Sequence, residues 1–181
     1  MAAAELNFEV HNYMEDIVFD LIQQKQQSDP DFDFCPRCVL DIGALVLNII
    51  KPQYIKVATK FADLDHAAAN ELEQLVDQAA EKVRANPYHG LNGESFELVN
   101  LSETMVQRVL ADVLEEQGEK FQINDDLIPV AAALVLNQTK PRYAVTVRGR
   151  AYQRTAELDH QFAPGMMAAV YNVLNQMKEL K

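Results

Sequence analysis

Cys35 and Cys38 stand three residues apart, flanking Pro36 and Arg37, where an apolar helical pattern begins. That is the spacing of half a tetrahedral zinc site, and a helix N-terminus lowers a thiol pKa, favouring thiolate ligands or redox chemistry. The remaining ligands would come from His11, His66, Asp41 or another chain. The competing reading is a reduced, partly buried pair that holds nothing. A second concentration of chemistry lies between residues 140 and 156, where Lys140, Arg142, Arg148, Arg150 and Arg154 occur without an acid. Lys51, Lys56 and Lys60 form a similar acid-free stretch. In a chain of net charge −11 these islands are either an anion site or a surface neutralised by acidic faces elsewhere. His66 and His160 each follow an Asp, but no nucleophile motif, Gly-rich phosphate loop or full ligand set accompanies them, which argues against catalysis. Asp125 and Asp126 precede a helical pattern and read as capping residues.

The elements that must carry these residues are organised by a repeat. Ala44-Leu45-Val46-Leu47-Asn48 and the following Lys51-Pro52-Gln53-Tyr54 return as Ala133-Leu134-Val135-Leu136-Asn137 and Lys140-Pro141-Arg142-Tyr143, 89 residues later. A solenoid unit runs about 20–50 residues, so this period indicates two copies of one small domain. The copies span 8–86 and 98–181, and Pro87, Gly90 and Gly93 mark a linker over 87–97. Each copy shows three helical segments: 10–26, 36–50 and 63–85 in the first, 102–117, 126–139 and 152–177 in the second. Ser102 and Gly118 read as the cap and stop of the second copy's first helix, and Pro164-Gly165 should interrupt its last. The middle helices are apolar nearly all round and should form the buried centre, with Asn48 and Asn137 satisfying backbone groups near their ends. Short β-like stretches follow, 54–58 and 143–147, expected to pair with each other across a pseudo-twofold axis. The fold expected is mainly α: two three-helix domains with one short strand each, joined as a pseudo-twofold dimer. Leu-Asp-His occurs at 64–66 and 158–160, but pairing Phe61-Ala62 with Phe162-Ala163 gives another register for the last helix.

Nearly half the residues are apolar, yet no run approaches the roughly 18 residues that span a bilayer, so a soluble globular protein with no membrane role is expected. Residues 1–10 lack the positive start and apolar core of a secretory signal, which makes the cytoplasm the expected location. The acidic total argues against a nucleic-acid polymer as partner, because phosphate backbones need a broad basic surface.

Asn12-Tyr13-Met14-Glu15-Asp16-Ile17-Val18, then Cys35-Pro36-Arg37-Cys38, Asp41-Ile42, Ala44-Leu45, Leu47-Asn48 and Lys51-Pro52-Gln53-Tyr54, resemble the late competence development protein ComFB family, motif by motif and in order. The second copy keeps Ala-Leu-x-Leu-Asn and Pro141-Arg142-Tyr143, followed by Ala151-Tyr152 and Ala156-Glu157-Leu158. The resemblance implies a small, mainly helical, non-enzymatic domain that forms twofold dimers. In that family some members hold zinc through cysteines and others are receptors for cyclic-di-GMP. A tandem chain would then be a covalent pseudo-dimer, with a further homodimer stapled through Cys35 and Cys38 left open. A cyclic dinucleotide needs cations for two phosphates, flat groups for guanine and acceptors for its edge. Arg142, Arg148, Arg150, Arg154, Tyr143, Tyr152 and Asp159 supply such groups, completed across the pseudo-axis by Lys51, Tyr54 and Lys56. The expected function is thus a cyclic-di-GMP receptor signalling to a protein partner. The alternative is a ligand-free interaction scaffold, with zinc at Cys35 and Cys38 as a stabiliser in either case. Surface arginines beside core tyrosines would give the same pattern without a ligand.

Overall fold

The computed structural model describes residues 9–32, 35–55, 60–90, 94–157 and 162–179, excluding the side chains of 153–157 and 162–163. In the first half, α1 (Tyr13–Ser28) forms where Ile17, Val18, Leu21 and Ile22 recur at helical spacing, and Asn12 caps it by accepting the Met14 N–H. α2 (Pro36–Leu47) opens on a proline, whose missing N–H costs little in a first turn. α3 (His66–Ala85) is capped by Asp65, which accepts the Ala68 N–H at 2.8 Å, and a 3-10 turn over Phe61–Asp63 precedes it. These helices close on Ile17, Ile42, Val46 and Val76, all fully buried. Gly43 admits α1 against α2, since a Cβ there would stand 2.4 Å from the Phe19 ring.

The second half comprises β1 (Val99–Asn100), α4 (Leu101–Phe121), α5 (Ile128–Leu136), β2 (Tyr143–Ala144), α6 (Val147–Glu157) and α7 (Phe162–Glu179). Helices α4, α5 and α7 repeat the packing of α1, α2 and α3. Their buried positions set the register: Leu72, Val76, Ala79 and Ala80 correspond to Met166, Val170, Val173 and Leu174, each 94 residues on. That offset also aligns the two Leu-Asp-His tripeptides, although residues 158–160 lie outside the described residues. Between the tail tyrosine and its last helix, the second copy is therefore five residues longer than the first. There the chain forms α6, so this half has four helices rather than the three expected.

Other expectations are corrected. Asn100, not Ser102, caps α4, and the Ser102 hydroxyl instead donates to the Lys140 carbonyl at 2.8 Å. Gly118 does not stop this helix. The axis kinks at Gln117, and the helix runs on to bury Phe121 before Gln122 closes it in a left-handed conformation. Asp125 and Asp126 lie in a 3-10 turn, and the cap residue before it, Asn124, makes no side-chain cap. Pro164 and Gly165 fall in the first turn of α7, where proline is tolerated, so they break nothing. β2, expected to pair with the first copy's tail, pairs antiparallel with β1, Val99 opposite Ala144. The 56–58 part of that tail lies outside the described residues.

What joins the halves is an exchange of tyrosines. Tyr143 belongs to the second copy but packs in the first core, and Tyr54 does the reverse. The Asn12 side-chain amide donates to the Tyr143 hydroxyl at 2.8 Å, and that hydroxyl donates to Glu15 at 2.6 Å. Asn100 and Glu103 hold Tyr54 at the same two distances. The backbone is stitched likewise: Tyr143 N–H donates to Asn48 Oδ1 at 2.6 Å, and Tyr54 N–H to Asn137 Oδ1 at 2.7 Å. Burial, reinforced by the neighbouring carboxylate, pushes both phenols far above their ordinary pKa, so each remains a donor.

Replacing Tyr143 by Phe strands an amide and a carboxylate, and should cost about 1–3 kcal/mol in urea denaturation, with Tyr54→Phe costing a comparable amount. Burial also raises the Glu103 carboxyl above its ordinary value of 4.5. A raised folded-state pKa means its contribution is intact below that ordinary value and is lost as pH climbs through the raised one. Glu103→Gln, which keeps an acceptor for Tyr54, should gain melting temperature relative to the parent as pH rises from about 4.5 toward neutrality.

Candidate functional site

The residues singled out by sequence do not form one cluster. Tyr54 and Tyr143 are buried, with their hydroxyls engaged in the seam, and Tyr143 also lines the seam groove described below. Arg142 is half-buried, and its N–H donates to Asn100 Oδ1 at 3.0 Å. Arg148 is exposed in the first turn of α6, Arg150 contacts Glu97 at 3.3 Å, and Tyr152 projects from the same helix with 74% of its surface exposed. Lys51 lies elsewhere, in a groove of about 560 Å³ formed by the two Asn-x-x-Lys-Pro segments with Lys140. The C-terminal, electronegative ends of α2 and α5 border that groove, which makes it a poor anion site. Lys56, Asp159 and the Arg154 side chain lie outside the described residues.

A different groove, of about 440 Å³, runs along the seam between the halves. Tyr152, Asp41, Lys82, Asn48, Thr146 and Gly149 are among the residues lining it. Its volume lies within the roughly 300–1,000 Å³ usual for small-ligand sites. Asp41 comes from the middle of the apolar α2 and Lys82 from the last turn of α3. The N-terminus of α6 is capped by Thr146, whose hydroxyl accepts the Gly149 N–H at 2.9 Å. No described residue donates to the Asp41 carboxyl, and its burial raises its pKa. Such an acceptor gains from a ligand that brings N–H donors. Along the sequence Asp41 falls among the candidate zinc ligands, and no local pattern singles out Lys82. The signal for Asp41 was the repeat itself, because the matching position in the second copy is Val130.

The cysteines form a separate cluster with His89. Cys35 Sγ lies 3.4 Å and Cys38 Sγ 4.0 Å from His89 Nδ1, with all three ligand atoms within 4.8 Å of one another. The Cys38 backbone N–H, aimed at the sulfur from the first turn of α2, holds the Cys35 thiol below its usual pKa; burial works against this, while the Arg37 N–H and His89 assist. The linker is seated here by contacts of its own: Arg37 stacks on Phe96 at 4.4 Å, and Tyr88 packs on Phe96 and donates to Glu94. His11 and His66, the expected recruits, are elsewhere: His11 bonds Asp16 at 2.9 Å and His66 opens α3. Two thiols and an imidazole could fill three positions of a tetrahedral zinc site. Sequence distance hid His89, which reaches Cys35 across 54 residues.

Two homologous helical halves that exchange a tyrosine across a shared seam define a covalent pseudo-dimer of a small helical domain. The chain belongs to the late competence development protein ComFB family, whose model matches it twice, over residues 11–87 and 99–180. No curated protein and no solved structure matches the chain. Zinc titrated into chelator-treated protein should saturate at one ion per chain. His89→Ala or Cys38→Ser should remove that binding while His11→Ala leaves it unchanged, read by metal analysis and melting temperature.

Proposed function

We propose that this protein is a non-enzymatic receptor for cyclic-di-GMP, acting in the cytoplasm and passing ligand occupancy to a protein partner. The observation that carries this reading is the meeting of Tyr152, Asp41 and Lys82 in one seam groove, beside the N-terminus of α6. Guanine presents two adjacent N–H donors on one edge, and the Asp41 carboxylate, to which no described residue donates, has two oxygens to receive them. Tyr152 supplies an exposed ring for the base. Lys82, Arg148 and the α6 N-terminus supply positive potential for phosphate. Family membership supports the same class of ligand. A non-enzymatic role is favoured because Asp65, beside His66, is used as a helix cap. Zinc on Cys35, Cys38 and His89 would anchor the linker without taking part in nucleotide binding. Among the described residues no helix is long and apolar enough to cross a membrane.

Calorimetric titration with cyclic-di-GMP should show saturable binding, with cyclic-di-AMP and GTP weaker or silent. Tyr152→Ala should weaken it by the value of one stacked base, about 1–3 kcal/mol. Asp41→Asn, which turns one acceptor into a donor, should cost about as much. Because burial raises the Asp41 pKa, affinity should improve as pH rises above the ordinary carboxylate range and the acceptor ionises. Silence toward all three nucleotides would favour the ligand-free scaffold instead.

A further inference from the structure

Part of this groove's lining recurs in the second half of the molecule, but its chemistry does not. Along α2 and α5, at an offset of 89 residues, Ala44, Leu45 and Asn48 recur as Ala133, Leu134 and Asn137. The exchanged tyrosine recurs too, as Tyr143 on one side and Tyr54 on the other. The groups that would hold a nucleotide do not recur. Asp41 corresponds to Val130, which is 45% exposed and so presents a methyl surface where the seam groove has a carboxylate. Lys82 corresponds, at the offset of 94 set by the buried face of α3 and α7, to Gln176. Tyr152 lies on α6, in the half with the longer segment, and either offset carries it back to a non-aromatic residue, Asp63 or Ala58.

From this we infer that each chain takes up a single cyclic dinucleotide, in the Asp41 groove, and that the matching surface beside Val130 does not bind nucleotide. The inference rests on the proposed receptor function and adds an asymmetry to it. In a dimer of identical single domains, any change at one groove is imposed on both. Covalent duplication releases that constraint, so one copy supplies Asp41 and Lys82, the other supplies Tyr152, and the reciprocal positions are free to drift. The bound state is then asymmetric.

The test is the stoichiometry of cyclic-di-GMP binding to the full chain by calorimetry, with active concentration fixed by amino-acid analysis. One ligand per chain is expected, and Asp41→Val should remove all binding rather than half of it. That substitution installs the residue the second half already carries at the matching position, and an unchanged circular dichroism melt would show that the fold is intact. Tyr152→Ala, at an exposed position, gives a second check and should weaken the one site without revealing another. Two ligands per chain, or one site surviving in Asp41→Val, would overturn the asymmetry while leaving the receptor function standing. No binding by the parent chain would overturn both.

Discussion

Two buried phenols, each bonded to an asparagine and a glutamate of the opposite half, set the terms for the rest of the structure. A phenolic hydroxyl in a core must find partners or forfeit about 1–3 kcal/mol, and here the partners lie at the N-terminus of the other copy's first helix. Each core counts the other half's tyrosine among its buried members, so neither is complete alone. The same asparagines also organise their own halves. Asn12 Oδ1 accepts the Gln53 N–H, as Asn100 Oδ1 accepts that of Arg142, which fixes where each tail leaves its domain before crossing.

The groove follows from that crossing. Tyr143 enters the first core with its backbone held by both polar atoms of the Asn48 side chain, which brings β2 and the start of α6 against the C-terminal half of α2. Asp41, midway along α2, then faces residues from the other copy, although nothing in its own helix calls for a charge there. The metal-type cluster occupies the opposite end of the same helix. Between them, His89 lies beside Cys35, Phe96 under Arg37, and Val99 and Asn100 pair with β2, near which the Glu97 N–H donates to the Val145 carbonyl at 3.1 Å. The cluster and the groove thus share α2.

Charge is distributed to match. The chain is acidic overall, yet the α6 N-terminus gathers Arg148 and Arg150 and the adjacent turn of α3 presents Lys82. Arg150 is partly answered by Glu97, whereas Arg148 stands exposed near Tyr88. An anion approaching this seam meets local positive potential against a repulsive background, which favours a compact ligand over an extended polyanion.

The duplication, the helical character of both copies and the buried middle helices are all legible along the chain, because apolar spacing and a repeated eleven-residue block are local signals. It also singled out Cys35-x-x-Cys38 and the basic run, since both are short-range patterns. Tertiary structure decided the rest. Tyr54 and Tyr143 neighbour basic residues in the chain, but packing sends each into the opposite core. His89 joins the cysteines, and Asp41 meets Lys82 and Tyr152, across separations that no periodicity encodes. The five additional residues that accompany α6 were visible only as an ambiguous register until the buried faces of α3 and α7 settled it. Local pattern records which face of each helix wants burial; which distant residues then share a groove depends on how the two halves cross, and that is a property of the folded pair.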